Sequence, residues 1–356
     1  MKPVIRSVTI FTQNIDEWNR GFIKHVIEDS IELLSKAVEL LNKNGYNVWS
    51  KRISFSQPPP SVYDVMIDII SDYITKDVMA CTGGFLVSKI SEKTLIDTVS
   101  RGYYTPLLAH EVQDYVRASE LIYKVSSIDP IYGTKIALSL TGNPLETPYF
   151  PLSTSINGLG IGISLLYPSL LYETFIKRGL KGVKKVLKSI EQDIVSILSE
   201  LNIRIGIDFS ISPWMDESVV PLITILSGSK INEPGFLHGI WMLNDILMEV
   251  SRNSPYAIGF NEVMLPYAED NELKKAGLNG VIKARDFLLL SAVCVAGPDM
   301  ILANMSKEVL KKYVLDARSI ALAKNRTMGL RIIVVDEKPG TIIDLGIFGK
   351  VPVLEY

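Results

Sequence analysis

The sequence predicts an α/β protein, a mostly parallel sheet covered by helices in one large domain. Runs rich in β-branched residues alternate with amphipathic runs along all 356 residues, the pattern of parallel strands joined by helical crossovers. No low-complexity linker or short-period repeat divides the chain. Hydrophobic residues make up 47%, enough for a large core and too many for disorder.

The elements follow in order. Val4 to Phe11 is rich in β-branched residues and reads as a first strand. From about Ile15 to Asn44, Phe22, Val26, Leu33, Leu34, Ala37, Leu40 and Leu41 recur at helical spacing, and Gly45 is a natural stop. Tyr46 to Phe55 returns as a strand, and Ser56-Gln57-Pro58-Pro59-Pro60-Ser61 is a rigid loop before a helix at Val62 to Thr75. Thr147 to Tyr172 carries no charge, but its prolines, glycines and Ser153, Thr154, Ser155 and Asn157 make it a buried loop and strand rather than a membrane span. A helix from about Tyr172 to Leu201 feeds a strand at Ile203 to Phe209. Helices follow near Glu217 to Leu226, Leu237 to Val250 and Lys283 to Val293, and Ser306 caps one running to about Lys324. Leu330 to Val335 and Thr341 to Leu354, separated by Lys338-Pro339-Gly340, read as a hairpin or two adjacent strands.

Composition excludes several roles. Lys and Arg number 37 against 39 Asp and Glu, a net charge of −2, which gives no electrostatic case for nucleic acid or an acidic membrane surface. Two cysteines, Cys81 and Cys294, make no disulfide framework. With no signal-peptide order at the N-terminus, a cytoplasmic protein is the default. No Walker motif, Cys-x-x-Cys pair or nucleophile elbow is present, which removes kinase, P-loop ATPase and zinc-finger readings.

In α/β folds ligands gather at the carboxyl ends of strands, which directs attention to the segments after Phe55, Ala80, Phe209, Met264 and Cys294. In Ile207-Asp208-Phe209-Ser210-Ile211-Ser212-Pro213, an apolar strand ends in an acid and two hydroxyls. Asp208 is placed as a base or metal ligand, with Ser210 and Ser212 holding a polar substrate; the alternative is a satisfied interior acid. Glu262, Glu269 and Asp270 surround a strand-like core, and Glu269 with Asp270 offer hard oxygens for Mg²⁺ or Ca²⁺, or serve only as partners of a helix N-terminus. Asp299 emerges from a Gly-Pro turn after the Cys294 run and is the better candidate there, since buried cysteines are usually inert. His238 begins a helix, which would keep it neutral and suited to hydrogen bonding. His110 and Asp114 share a helical face but lack the second histidine of a zinc helix, and His25 is an ordinary helix residue. Gly83 and Gly84 offer backbone N–H groups to an anion, whereas Gly158-Leu159-Gly160-Ile161-Gly162 has the wrong spacing for a dinucleotide fingerprint.

The order of these runs resembles a prokaryotic family called "PFL family protein", a domain of unknown function. The resemblance rests on Ile207 to Pro213, His238-Gly239 with Leu243-Asn244-Asp245, Pro266 with Glu269-Asp270, Ala292-Val293-Cys294 with Gly297 and Asp299-Met300, Leu330-Arg331-Ile332-Ile333, and Gly349-Lys350-Val351-Pro352-Val353. Lys51-Arg52-Ile53-Ser54 and Gly83-Gly84-Phe85 match more loosely. The resemblance covers nearly the whole chain, strongest from about Arg204, and the chain is shorter than the usual member through its middle. It implies one domain over 1–356, the β/α barrel of pyruvate formate-lyase-like glycyl-radical enzymes, as two half-barrels meeting at roughly 150–200. It does not imply radical chemistry, because Arg326-Thr327-Met328-Gly329-Leu330 lacks the aromatic of a glycyl-radical loop. Bacterial members are often encoded beside a small ACT-domain protein, which by analogy implies amino-acid-linked metabolism or its regulation.

The expectation is therefore a cytoplasmic enzyme-like barrel that binds a small carboxylated or phosphorylated metabolite for acid–base chemistry, with or without Mg²⁺ or Ca²⁺. Asp208, Asp299 and His238 are its catalytic candidates, and Ser210, Ser212, Gly83, Gly84 and Arg52 its substrate-binding ones. Glu269 and Asp270 are its metal candidates. The alternative is a non-catalytic ligand-binding or regulatory protein, and a homodimer is the default assembly in either case.

Overall fold

The computed structural model describes residues 2–294 and 297–356; Met1, and Val295 and Ala296 of the Cys294 run, lie outside the described residues. Strands and helices alternate as β1 (Val4–Phe11), α1 (Arg20–Lys43), β2 (Lys51–Ser54), α2 (Tyr63–Ser71), β3 (Val78–Cys81), β4 (Phe85–Leu86), α3 (Glu92–Ser100) and β5 (Thr105–Leu108). Next come α4 (Val112–Ile128), α5 (Pro130–Gly133), β6 (Ile136–Ser139), β7 (Gly160–Leu166), α6 (Pro168–Leu198) and β8 (Arg204–Asp208). The rest comprises α7 (Val220–Ser227), α8 (Phe236–Arg252), α9 (Asn271–Leu278), α10 (Asp286–Ser291), β9 (Ile301–Asn304) and α11 (Lys307–Lys324), then β10 (Gly329–Leu330), β11 (Ile332–Val335), β12 (Ile342–Asp344) and β13 (Lys350–Pro352). Among the described residues no helix is long and apolar enough to cross a membrane.

Local chemistry sets the boundaries. α1 starts at Arg20, later than apolar spacing predicts, because the Asn19 side chain accepts the Phe22 N–H at 2.9 Å. Ser306 caps α11 as expected, accepting from Val309 N. α6 bends at Gly179, whose φ of 60° and ψ of −166° leave the helical region. Two strand expectations change. The strand expected over 46–55 shortens to β2, preceded by a lone bridge from Ile5 to Val48. The two tail segments do not pair with each other: β11 lies parallel to β9, and β12 pairs antiparallel with β13 inside the second segment. Arg331, between β10 and β11, separates an antiparallel pairing with β6 from a parallel one with β9.

The largest sheet runs β3-β2-β1-β7-β8, with β7 antiparallel to β1 and the other pairs parallel. Its register explains the alternation in Gly160-Ile161-Gly162-Ile163-Ser164 and Arg204-Ile205-Gly206-Ile207-Asp208. One face carries the rows Ile205-Ile161-Ile10-Ile53-Ala80 and Ile207-Ile163-Val8. Helix α1 packs against β1 and β2, and α6 against α1 and β8. The opposite face carries Gly206-Gly162-Thr9-Arg52-Met79 and Asp208-Ser164-Ser7, a row of small and polar residues turned into the molecule. The glycines are required there: a Cβ on Gly162 would stand 2.6 Å from the Phe11 ring, and one on Gly206 would stand 2.5 Å from Ile258.

A second sheet runs β10-β6-β5-β4. Backbone hydrogen bonds link the sheets and the segments beside them: Tyr104 N to Ala80 O at 3.0 Å beside β3, Ile301 N to Arg331 O at 3.1 Å, Tyr267 N to Asp299 O at 2.9 Å, and Met264 N to Ile211 O at 2.9 Å. The uncharged segment after β6 folds over the carboxyl ends of β1 to β3. Ser155 N donates to Phe55 O at 2.9 Å, Ser155 Oγ to Thr12 O at 2.6 Å and Thr154 Oγ1 to Gly83 O at 2.9 Å. That end of the sheet is thereby plugged.

Candidate functional site

The plug displaces the site from where the strand rule puts it. A cavity of about 290 Å³ opens at the amino ends of β1, β2 and β3, lined by Arg6, Arg52, Met79 and Tyr104. Because β8 runs opposite to β1, the residues after its carboxyl end, Ser212 and Trp214, reach the same cavity. Asp299 and Arg331, just before β9 and β11, complete the polar wall with Glu269. Trp49, 48% exposed, and Ile347, 68% exposed, stand at the mouth. Behind them Trp214 packs edge-on to Trp49 (5.3 Å between ring centroids) and against Phe348 (5.6 Å).

Arg6 reaches inward because it is the extra residue of a β-bulge. Ile5 pairs with Leu165 and Ser7 with Ser164, which leaves Arg6 without a partner and re-aims its side chain. Its guanidinium donates to Ser212 Oγ at 3.0 Å and Pro213 O at 2.6 Å and forms an ion pair with Glu269. The other Glu269 oxygen accepts from Arg331 Nη2 at 2.8 Å, and Arg331 grips Asp299 through two bonds, Nε–Oδ1 at 2.7 Å and Nη2–Oδ2 at 3.0 Å. Burial works against the Glu269 charge, but the two arginines outweigh it and hold its carboxyl below the ordinary value. Asp299 moves the other way: burial raises it, against the pull of Arg331.

Arg52 differs. It is 9% exposed, lies over the Phe150 ring at 5.0 Å, and donates Nε to Ser50 Oγ at 3.0 Å and Nη1 to Pro148 O at 2.9 Å. Nη2 has no hydrogen-bond partner and the guanidinium has no carboxylate partner among the described residues. Burial and the neighbouring charge of Arg6 pull it down to about 10. Tyr104 lines the same wall, and its hydroxyl also has no hydrogen-bond partner among the described residues. Three guanidinium groups face two carboxylates, so the cavity holds one excess positive charge.

The structure brings together Arg52, Ser212, Glu269 and Asp299 of the residues singled out from sequence. The others lie elsewhere. Asp208 is fully buried and accepts five bonds, from Ser210 N, Ser210 Oγ, Thr147 Oγ1, Phe260 N and Asn261 N, with burial raising its carboxyl. This acid ties β8 to a turn in which Gly259 has a φ of +76° and a Cβ would lie 2.1 Å from Asp208 Oδ2. Ser210 is held in the same network, accepting from Glu262 N. Asp270 points away from the cavity and caps α9, accepting from Glu272 N and Leu273 N as well as Ser218 Oγ, and burial raises it to about 6. Both Glu269 oxygens are taken by arginines, so the oxygens expected to receive a metal already have partners. Among the described residues no three His, Cys, Asp or Glu side chains are placed to hold a metal ion. His238 is exposed on α8, stacked on Trp241, away from the cavity. Gly83 and Gly84 take φ values of +81° and +114°, and a Cβ on Gly83 would lie 2.4 Å from Phe55 O, so they serve close packing at the plugged end. Cys294 is buried and its thiol is pushed up to about 12.

Arg6 and Arg331 carry the polar wall, yet neither was singled out from sequence as a site residue. Their signal was visible, since each arginine interrupts or precedes a β-branched run, in Val4-Ile5-Arg6 and Arg331-Ile332-Ile333.

Comparison with known proteins finds likenesses to uncharacterised ones. The family described as "Uncharacterised ACR (DUF711)" matches residues 170–345, which includes most of the region from Arg204 where the sequence resemblance is strongest. A UPF0210 protein of Sulfurisphaera tokodaii is 23% identical over 99% of this chain and 89% of its own length. A UPF0210 protein of Oenococcus oeni is 23% identical over 93% of this chain and 84% of its own. The likeness to a UPF0210 protein of Pyrobaculum arsenaticum, 26% identical, covers 45% of this chain and 37% of that one.

Proposed function

We propose, on the premise that this chain belongs to the DUF711 and UPF0210 family of uncharacterised proteins, that its cavity binds a small anionic metabolite. The observation that carries this reading is Arg52, a buried guanidinium on the cavity wall with a free N–H edge and no counter-charge of its own. A buried charge without a partner costs several kcal/mol, and an anion entering the cavity removes that cost. Arg6 and Arg331, both committed to carboxylates, set the electrostatics around it. Asp299 supports acid–base chemistry at the same place, because it lines the cavity as a carboxylate and burial raises its proton affinity, as a general base requires. If the protein is a binder rather than an enzyme, the same cavity serves and Asp299 only orients Arg331.

The barrel implied by the sequence resemblance fits this reading. The backbone bonds from Tyr104 to Ala80 of β3, between β11 and β9, from residues 267–268 to residues 299–300 and from residue 264 to residue 211 are those that strands of one barrel around the cavity would make. We infer that the strands compose one barrel whose interior is the site.

Thermal unfolding at constant ionic strength tests the binding reading. Wild-type protein should melt higher in millimolar phenylacetate or phenyl phosphate. Arg52→Met should melt higher than wild type without ligand and lose the response. A variant that melts lower and responds as wild type does would overturn the assignment.

A further inference from the structure

Resting on the anion-binding reading above, we infer that the natural ligand is a monocarboxylate with an apolar body about the size of an aromatic ring. Its carboxylate lies on Arg52 and Tyr104.

Charge restricts the ligand first. Three guanidinium groups against Glu269 and Asp299 leave one positive charge to neutralise. A monocarboxylate supplies one negative charge. A phosphate monoester carries about −1.5 to −2 near neutral pH and would leave the buried site negative. A zwitterionic amino acid, with no net charge, would leave Arg52 uncompensated.

The free donors agree. Arg6 and Arg331 spend their charges on Glu269 and Asp299, with Ser212 and Pro213 as further acceptors. Arg52 Nη2, the Tyr104 hydroxyl and Arg331 Nη1 have no hydrogen-bond partner among the described residues, but Arg331 is already paired with Glu269 and Asp299, so the uncompensated charge lies beside Arg52 and Tyr104.

The remaining wall is apolar. Ala137, Tyr149, Leu152, Phe260 and Met264 form a cluster separate from the main core, and Met79, Tyr104 and Phe150 form part of another. The cavity volume of about 290 Å³ lies at the small end of ligand sites, about 300–1,000 Å³. That is the scale of a ring with a short acidic arm.

Titration calorimetry, with the fluorescence of Trp49 and Trp214 as a second readout, separates the ligand classes on the wild-type protein, and the Arg52 variants then locate the binding. Phenylacetate should bind at least about tenfold more tightly than phenylacetamide, L-phenylalanine or phenyl phosphate, a difference of about 1.4 kcal/mol. Arg52→Met should reduce phenylacetate to the level of the amide, and Arg52→Lys should fall between. Phenyl phosphate binding as tightly as phenylacetate, with loss in Arg52→Met, would overturn the carboxylate class and leave the anion site standing. Equal affinity for acid and amide, unchanged by Arg52→Met, would overturn the anion site as well. So would the absence of binding across monocarboxylates from acetate to indole-3-acetate.

Discussion

Glu269 is the side chain on which the polar wall depends, and Glu269→Gln should cost about 3–5 kcal/mol, the range for breaking a buried pair. The structure assigns most of that loss to Arg6. Arg331 keeps its two bonds to Asp299 when Glu269 is neutral. Arg6 keeps only the neutral acceptors Ser212 Oγ and Pro213 O, with its guanidinium 5.3 Å from the Trp214 ring. Against a typical stability of about 5–15 kcal/mol, the single variant loses about a fifth or more. Urea unfolding at pH 7 measures it as a lower midpoint at unchanged slope. Arg6→Met placed in the Glu269→Gln background removes the orphaned charge and should recover at least half of the loss. The pH dependence has a definite sign. Glu269 titrates below its ordinary value of 4.5, so its stabilisation is present above that value and disappears as acid takes the medium through its lower folded value. The gap between wild type and Glu269→Gln should therefore close on acidification. A loss below about 1 kcal/mol at pH 7, or a double variant no better than the sum of its parts, would refute this account.

Asp270 predicts the opposite pH trend. Its folded value of about 6 lies above the ordinary 3.8, so it favours the fold below 3.8 and that contribution is lost as pH rises through 6. Asp270→Asn, which does not titrate, should gain up to about 3 kcal/mol on wild type between pH 3.8 and pH 7, read by urea midpoints at each pH. Gly206→Ala should cost about 1–3 kcal/mol by overpacking against Ile258, and Ile258→Val in the same chain should relieve part of it. Cys81 is buried, with its thiol pushed up to about 12 and directed at the carbonyls of Pro151 and Ser153. It should react with a thiol reagent only at the rate of unfolding, and faster labelling under native conditions would show that the plug opens.

Much of the fold was legible because local chemistry decides it. The apolar spacing from Phe22 to Leu41, the cap at Ser306 and the β-branched run at Val4 to Phe11 each determine an element from nearby residues. The site was legible only in part, because a residue's address on a strand does not say which solvent or partner it meets. Asp208 ends β8 and Ser212 follows four residues on, yet one is enclosed by a turn at residues 259–261 and the other receives Arg6. Both outcomes depend on segments fifty or two hundred residues away. Arg52 and Asp299 were legible as polar groups beside apolar runs; Arg6 carried the same signal, but the bulge that aims it depends on a pairing with β7.

The position of the cavity follows from the same long-range pairing. Parallel α/β folds place ligands at carboxyl strand ends because the loops there are free to carry function. Here Ser153, Thr154 and Ser155 bond across those ends of β1 to β3, so that entrance is occupied by the chain itself. β7 and β8 run opposite to β1, and this brings the carboxyl end of β8, with Ser212 and Trp214, to the amino ends of β1 and β2. Loops from strands of both directions therefore meet at one mouth. At that mouth the bulge turns Arg6 inward while strand register alone turns Arg52 inward, and Glu269 neutralises the first but not the second. The charge left over at Arg52 is thus a product of topology, which supplies the polar wall from both directions with three cations and only two anions.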